Sequence, residues 1–132
     1  MEVVGVGPKH SEMRHESDIS GVVQSADGLT IFINTVTESG QRIDLKVHFQ
    51  WVRGYRYLDE GDLQYYWKTQ EFTVPQHVFR ILSGGWSNGE ALQPDTLSVS
   101  TALEIKEWFI ATTNGCMNVL SGSDPTVEYV NA

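Results

Sequence analysis

The sequence predicts an α+β protein: a mostly antiparallel sheet of about six strands with one or two short helices packed on one face. The main observation is residues 42–51, where apolar and polar side chains alternate at every position. A period of two is typical of a strand with one buried and one solvated face. Short connections rich in turn residues favour hairpins over long crossovers. One clear helix-start signal, at residues 58–63, supplies the helical part.

Six apolar runs predict strands, and a seventh predicts an edge strand or a frayed tail: residues 19–26, 29–36, 42–51, 77–82, 107–113 and 116–121, then 126–130. Two pairs of runs flank Asp27-Gly28 and Asn114-Gly115, which are typical of type I′ hairpin turns because both central positions need a positive φ. Residues 77–82 carry apolar side chains on both faces, which indicates an interior strand or cover by a helix.

The helix start is predicted where Leu58 is followed by an acidic stretch. Asp59 occupies the N-cap position and Asp62 the position three residues later, as in a capping box. Leu58 and Leu63 have the spacing of a hydrophobic staple around that cap. A short helix over residues 60–68 should therefore lie on the sheet, with its acidic first turn at the positive end of the helix dipole.

The length of 132 residues is that of one domain, so residues 1–132 are expected to fold as a single unit. Residues 1–17 mix Gly5, Gly7 and Pro8 with charged side chains, and no hydrophobic period runs through them. They are expected to form a loosely ordered N-terminal arm, outside the main fold.

The charge balance limits the classes of partner. Seventeen acidic residues oppose nine basic ones, for a formal net charge of −8 at pH 7. Direct binding to nucleic acid or to an anionic membrane needs a basic face and is therefore not expected. A basic protein partner fits this chain, because opposite net charges raise the rate of encounter.

Cys116 is the only cysteine, so no internal disulfide can form, and a reducing compartment is expected. The first residues lack a basic segment followed by a long apolar run, which argues against a secretory signal. No window approaches the 18 or so consecutive apolar residues of a membrane span. These observations together predict a cytoplasmic protein.

No motif specifies catalysis, a cofactor or a metal, so none of the three is predicted. The candidates for acid–base or metal chemistry are the four histidines, His10, His15, His48 and His77. His10 and His15 stand near Glu12 and Glu16, yet their spacing is not that of two ligands on one helix. A hydrolase that pairs His48 or His77 with a carboxylate stays open as a second function.

Acidic and aromatic residues concentrate after residue 55 and indicate a protein-binding surface. Carboxylates steer and pair with lysine or arginine, and aromatic side chains supply anchoring area. The predicted site residues are Asp59, Glu60, Asp62, Tyr65 and Glu71, with Trp86 as a lesser candidate in the glycine-rich loop at residues 83–89. The sequence leaves open which tryptophans are core and which are interface residues: Trp51, Trp67, Trp86 and Trp108.

The chain is small, acidic, rich in Trp and Tyr, and without a catalytic signature. In this overall character it resembles the immunity proteins that bacteria make against their own contact-dependent or secreted toxins. The resemblance implies a cytoplasmic inhibitor, monomeric or weakly dimeric, that docks on a basic toxin domain, often a nuclease, and occludes its active site. The sequence is also compatible with a small-ligand-binding protein that has an aromatic-lined cavity, and with a self-assembling subunit.

Overall fold

A computed structural model describes residues 1–13, 16–91 and 93–130, and within these ranges it places nine strands in two sheets. The strands are β1 Glu2–Lys9, β2 Asp18–Ser25, β3 Gly28–Val36, β4 Arg42–Phe49, β5 Val52–Asp59, β6 Gln76–Ser83, β7 Lys106–Ala111, β8 Gly115–Ser121 and β9 Thr126–Val130. The helical segments are short: 3-10 turns at Glu60–Asp62, Tyr66–Lys68 and Gln70–Thr73, a π-type turn at Trp86–Glu90, and helix α1 at Ser98–Ala102. No described helix is long and apolar enough to cross a membrane.

All neighbouring strands pair antiparallel. The first sheet has five strands in the order β1-β6-β7-β8-β5, and the second has four in the order β2-β3-β4-β9. The predicted α+β class, mostly antiparallel sheet with short helices, is confirmed. Strands and sheets are more numerous than predicted, because β1 and β5 were missed and the predicted strands divide between two sheets.

Strand β4 shows the alternation that the sequence predicts. Its buried side chains are Ile43, Leu45, Val47 and Phe49. Pairing with β3 on one side and β9 on the other holds this register. The alternation was expected to continue to Trp51, but the strand ends at Phe49 and the Trp51 side chain is 66% exposed. Gln50 and Trp51 form the two-residue connection that carries the chain into the other sheet.

The inner core lies between the two sheets. It contains Leu29, Ile31, Ile33, Leu45, Val47 and Phe49 from the second sheet, and Val78, Trp108, Ile110, Met117 and Val119 from the first. Full burial of one such side chain contributes roughly 1.5–3 kcal/mol, so this core dominates the association of the sheets. The opposite face of the first sheet needs a cover of its own.

That cover is the segment at residues 60–73, which we call the cap. Beneath it lies the outer core, centred on Phe109 of β7. The ring centroids of Tyr66 and Phe72 lie 4.8 and 5.2 Å from that of Phe109. Trp67 lies beside them, with its centroid 6.0 Å from the same ring. Aromatic side chains of the cap therefore form a layer on the sheet.

The cap is a series of 3-10 turns, so the prediction of one helix over residues 60–68 is wrong. The amides of Leu63, Tyr66, Thr69 and Phe72 each donate to the carbonyl three residues earlier. This spacing brings Leu63, Tyr66 and Phe72 against the outer core, whereas a period of 3.6 would rotate successive positions away from it. Burial of Leu63 and Tyr66 therefore selects the tighter helix.

The N-terminal segment is part of the first sheet, so the prediction of a loosely ordered arm is wrong for β1. Strand β1 pairs with β6 from Glu2 to Lys9, and Val3 is buried. After β1, the Ser17 carbonyl accepts a hydrogen bond from the Thr113 hydroxyl at 2.7 Å. The prediction failed because the valines of β1 stand among glycines and a proline, so no strand period is visible in the sequence. In addition, the partner strand lies about seventy residues away in sequence.

Both predicted hairpins are present, but neither has the predicted turn type. Ser25 pairs with Gly28, so the loop consists of Ala26 and Asp27, and the positive φ of 112° belongs to Gly28 after the turn. Neither Asn114 nor Gly115 has a positive φ, which a type I′ turn would require. The sequence located these reversals correctly and misplaced their central residues.

Candidate functional site

The junction of β5 and the cap carries the predicted acidic residues. Asp59 ends β5, where it pairs with Gly115 of β8. Its carboxylate accepts a hydrogen bond from the Gly61 amide at 2.9 Å, which confirms Asp59 as the N-cap. The Glu60 amide donates to the Asn114 carbonyl at 2.8 Å, so the β7–β8 hairpin fixes the start of the cap. Asp59, Glu60 and Asp62 are all exposed on this rigid corner.

Tyr57 and Asp18 extend this acidic corner, and neither was among the site residues predicted from the sequence. The Tyr57 side chain is 53% exposed and lies directly over Gly115, where any Cβ would collide with its hydroxyl oxygen. Partial burial raises the pKa of Tyr57, and the negative charges of Asp18 and Asp59 raise it further. Both carboxylates therefore act on the same tyrosine. We call Asp18, Asp59, Glu60 and Asp62 the acidic face.

The carboxylates of the acidic face are not neutralised within the described part of the chain. Ion pairs there join Arg56 to Glu90 and Lys106 to Asp124, and neither pair includes a residue of the acidic face. Because the chain carries a formal net charge of −8, this corner projects negative potential into solvent. Such a surface attracts cationic groups of a partner.

Tyr65 and Glu71 lie farther along the cap. Tyr65 is 52% exposed, and its hydroxyl donates to the Gly84 carbonyl at 3.2 Å. Glu71 is exposed in the third 3-10 turn. Trp67 connects the ends of the cap, because its indole N–H donates to the Glu60 carbonyl at 2.7 Å and its ring meets Phe72 edge to face. The predicted residues from Asp59 to Glu71 therefore share one short, braced segment.

Trp86 belongs to a different cluster. Its ring is half-buried and lies under the Arg56 guanidinium, whose central carbon is 5.1 Å from the ring centroid. Its amide donates to the Glu107 carboxylate at 2.7 Å. The glycine-rich loop is thus fixed to the sheet, and Trp86 is held within it rather than projecting as an anchor.

Glu107 is the centre of that cluster and is 2% exposed. Besides the Trp86 amide, its carboxylate accepts from the Ser87 amide at 2.7 Å, from the Ser87 hydroxyl, and from Asn118 Nδ2 at 3.0 Å. Asn118 Nδ2 also donates to the Tyr66 hydroxyl, and Asn118 Oδ1 accepts from Arg56 Nε. We call this set, with Glu90, the Glu107 network.

The Tyr66 hydroxyl joins the Glu107 network to the cap. It donates to Glu90 Oε2 at 2.7 Å, and Arg56 Nη2 bonds the same carboxylate. Burial raises the pKa of Tyr66 well above its ordinary range, and the hydrogen bond to Glu90 adds to that rise. Every group here is satisfied by a neighbour, which is the condition for a stable buried polar network. The Glu107 network is therefore a structural device that fixes the loop and the cap.

A cavity of about 510 Å³ opens between the cap and the segment that follows β1. Its lining includes His10, Glu12, Glu60, Trp67, Phe72 and His77. We call it the His77 cavity. The His77 ring is buried, with Nδ1 2.7 Å from the Ala111 carbonyl and Nε2 2.6 Å from the Thr35 hydroxyl. A carbonyl only accepts, so Nδ1 carries a proton, and Nε2 shares a hydrogen bond with the Thr35 hydroxyl.

His48 lies on another sheet, where its Nδ1 is 2.8 Å from the Thr30 hydroxyl. His48 and His77 therefore do not form one site. Residue 15, the second histidine of the segment considered for metal binding, lies outside the described residues, whereas the His10 ring lies 4.4 Å from that of His77. In the part of the chain that the structure describes, no three His, Cys, Asp or Glu side chains are grouped so that they could hold a metal ion.

Comparison of the chain with protein-family models, with curated proteins and with solved structures found no match. Function must therefore be inferred from the surface itself. Its two distinctive parts are the acidic face, with exposed tyrosines at its borders, and the His77 cavity beside it, to which Glu60 contributes.

Proposed function

We propose that this chain is a protein-binding inhibitor, a bacterial immunity protein that acts in the cytoplasm. Its target is a basic toxin domain, such as a nuclease, whose active site it occludes. The observation that carries the proposal is the acidic face, whose four exposed carboxylates form no ion pair within the described residues. No cofactor or metal takes part in this activity.

The acidic face supplies the electrostatic part of binding. A nuclease binds phosphates with lysine and arginine, so its active site presents the charges that complement carboxylates. Opposite potentials accelerate encounter and set the orientation of the two proteins. Because hydrogen bonds to the β7–β8 hairpin fix the main chain at Asp59 and Glu60, little main-chain ordering entropy is lost when a partner binds them.

Tyr57 and Tyr65 supply the anchoring area. Both side chains are about half exposed, and both are fixed at one end: Tyr57 over Gly115, and Tyr65 by its hydrogen bond to Gly84. A rigid, partly exposed tyrosine loses little rotamer freedom on binding and is enriched among residues that dominate interface energies. The proposed interface thus combines a charged border with two aromatic anchors.

The experiment is a tagged pull-down from lysate of the source organism, washed at low and at high salt, with bound proteins identified by mass spectrometry. We expect one basic partner in stoichiometric amount. Its affinity should fall by roughly a hundredfold or more in the triple variant D59K/E60K/D62K, since like charges oppose each other in an interface. The matched control is E38K/E104K/E128K, which makes the same change of net charge at exposed positions elsewhere.

Two results would contradict the proposal. One is the absence of any partner at low salt from a lysate that contains the natural target. The other is an equal loss of affinity in both triple variants, which would show that net charge alone, and not the acidic face, determines binding. If the captured partner has nuclease activity, its inhibition by the wild-type chain and not by D59K/E60K/D62K tests occlusion directly.

The His77 cavity favours a second candidate, a small-ligand-binding protein. Its volume of about 510 Å³ falls within the range of ligand pockets, and Trp67 and Phe72 give it an aromatic wall. A thermal-shift screen of small molecules checks this function. The ligand-binding function would be favoured over the inhibitor if a ligand raised the melting temperature and lost this effect when residues of the cavity were substituted.

A further inference from the structure

The walls of the His77 cavity are apolar and aromatic over a large part of their area. Its apolar lining residues include Phe72, Val74, Pro75 and Ala111. Trp67 is fixed there by its hydrogen bond to the Glu60 carbonyl. A long side chain with several methylene groups can lie along such walls while its polar end reaches a charged group.

The described lining of the cavity carries negative charge. Among its described lining residues, Glu12 and Glu60 are the ones with a formal charge at pH 7 when histidine is neutral. Both are exposed, so they border the opening rather than the floor. A cation that enters the cavity therefore meets a lining that contains carboxylates, which pair with it, and an indole, whose quadrupole attracts cations.

The cavity is continuous with the acidic face, because Glu60 belongs to both. A partner that contacts Asp59 and Glu60 therefore also contacts a residue of the cavity lining. The Glu60 main chain is held at both ends of the residue, by Asn114 at its amide and by Trp67 at its carbonyl. Its position relative to the aromatic wall is thus set before binding.

We propose that the His77 cavity receives the side chain of an arginine that projects from the basic partner. This inference rests on the proposed function and names the anchor of that interface. Arginine fits better than lysine because its planar guanidinium stacks on aromatic rings and bonds carboxylates through two N–H groups at once. The partner's arginine inserts between Glu12 and Glu60, with its methylene groups against Phe72 and Val74.

The test uses two small probes and needs no partner. The ¹⁵N-labelled chain is titrated with N-acetyl-arginine amide and with N-acetyl-citrulline amide, which has nearly the same shape without the charge. We expect shifts of the Trp67 indole N–H and the Thr112 amide with the arginine probe, saturating in the millimolar range, and binding at least roughly tenfold weaker for the citrulline probe. In E12Q/E60Q the arginine affinity should fall at least roughly fivefold, while E104Q/E128Q, at exposed positions outside the cavity lining, retains it.

Equal binding of both probes, no shift at Trp67, or unchanged affinity in E12Q/E60Q would overturn the inference. A second arm uses the captured partner: E12Q/E60Q should weaken that complex by roughly tenfold relative to E104Q/E128Q. If D59K/E60K/D62K abolishes the complex while E12Q/E60Q leaves its affinity unchanged, the inhibitor proposal stands and the arginine anchor is wrong. If the arginine probe binds selectively and no partner exists, the inhibitor proposal fails and the cavity remains a cation site.

Discussion

Glu107 and the acidic face place the same chemical group in opposite surroundings. The Glu107 carboxylate is buried and accepts from four protein donors, whereas the carboxylates of Glu60 and Asp62 are exposed and form no ion pair within the described residues. A buried carboxylate without partners costs several kcal/mol, and an exposed one costs almost nothing. The buried carboxylate of Glu107 therefore stabilises a loop, while the exposed carboxylates of the acidic face stay available for a partner.

The largest expected effect on stability comes from removing the buried charge of Glu107. In E107Q the side-chain amide presents its own N–H groups to backbone donors, so hydrogen bonds to a charged acceptor are lost and donors are left unsatisfied. We expect the free energy of unfolding to fall by about 3 kcal/mol in guanidinium denaturation. Hydrogen exchange at the Trp86 and Ser87 amides should accelerate. A loss below about 0.5 kcal/mol, equal to that of the exposed control E128Q, would show that burial makes no difference to a carboxylate here.

The Cys116 thiol offers a second test of how burial affects an ionisable group, because its effect on stability depends on pH. Burial raises the pKa of its thiol from an ordinary value of 9.0 to about 11, so the folded chain favours the neutral thiol. The stability from this group is complete below about pH 9 and is lost as the pH rises to about 11, a loss of up to about 3 kcal/mol. Denaturation midpoints across this range measure it, and C116A should flatten the dependence. A parallel fall in C116A would assign the loss to other groups, such as Tyr66.

A smaller effect is expected at Asp59, which lies on the exposed side and still has one structural hydrogen bond. D59A should lower the free energy of unfolding by about 1 kcal/mol, because the Gly61 amide loses its acceptor. D59N retains an acceptor and should cost a few tenths of a kcal/mol at most. Chemical denaturation of both variants distinguishes the contribution of the N-cap hydrogen bond from that of the negative charge. An equal loss in D59A and D59N would mean that the charge itself stabilises the fold.

The smallest effect is expected where the exposed charges have no structural role. E60Q/D62N/E71Q should change the free energy of unfolding by less than about 0.5 kcal/mol, since these side chains are exposed and make no ion pair within the described residues. Binding of the captured partner should weaken in the same variant. Strong destabilisation would remove the distinction between the two groups of carboxylates.

The sequence predicted the parts of the fold that depend on local periodicity. The alternation over residues 42–49, the interior position of the fourth predicted strand and the Asp59 N-cap are all found in the structure. It missed β5, where Gly54 and Arg56 interrupt an edge strand, and it could not divide the strands between two sheets. That division depends on pairings such as β4 with β9, which join residues far apart in the chain.

The candidate site was predictable where exposure is the default for a residue type, as at Asp59, Glu60 and Asp62. The Glu107 network was not recognised, although β7 contains a signal for it. Glu107 is in phase with Phe109, while Trp108 and Ile110 occupy the other face, so both faces of β7 are apolar. A carboxylate in such a strand is buried on either face and must find donors.

The pairing of β4 with β9 also constrains how the protein forms. Asp44 pairs with Val130, and Val3 of β1 pairs with Ile81, so each sheet joins strands separated by most of the chain. During synthesis, one edge of β4 stays open until β9 has been made. Folding should therefore be slow, on a timescale of milliseconds to seconds. In that interval the unpaired edge of β4 is the part of the nascent chain most prone to associate with other strands.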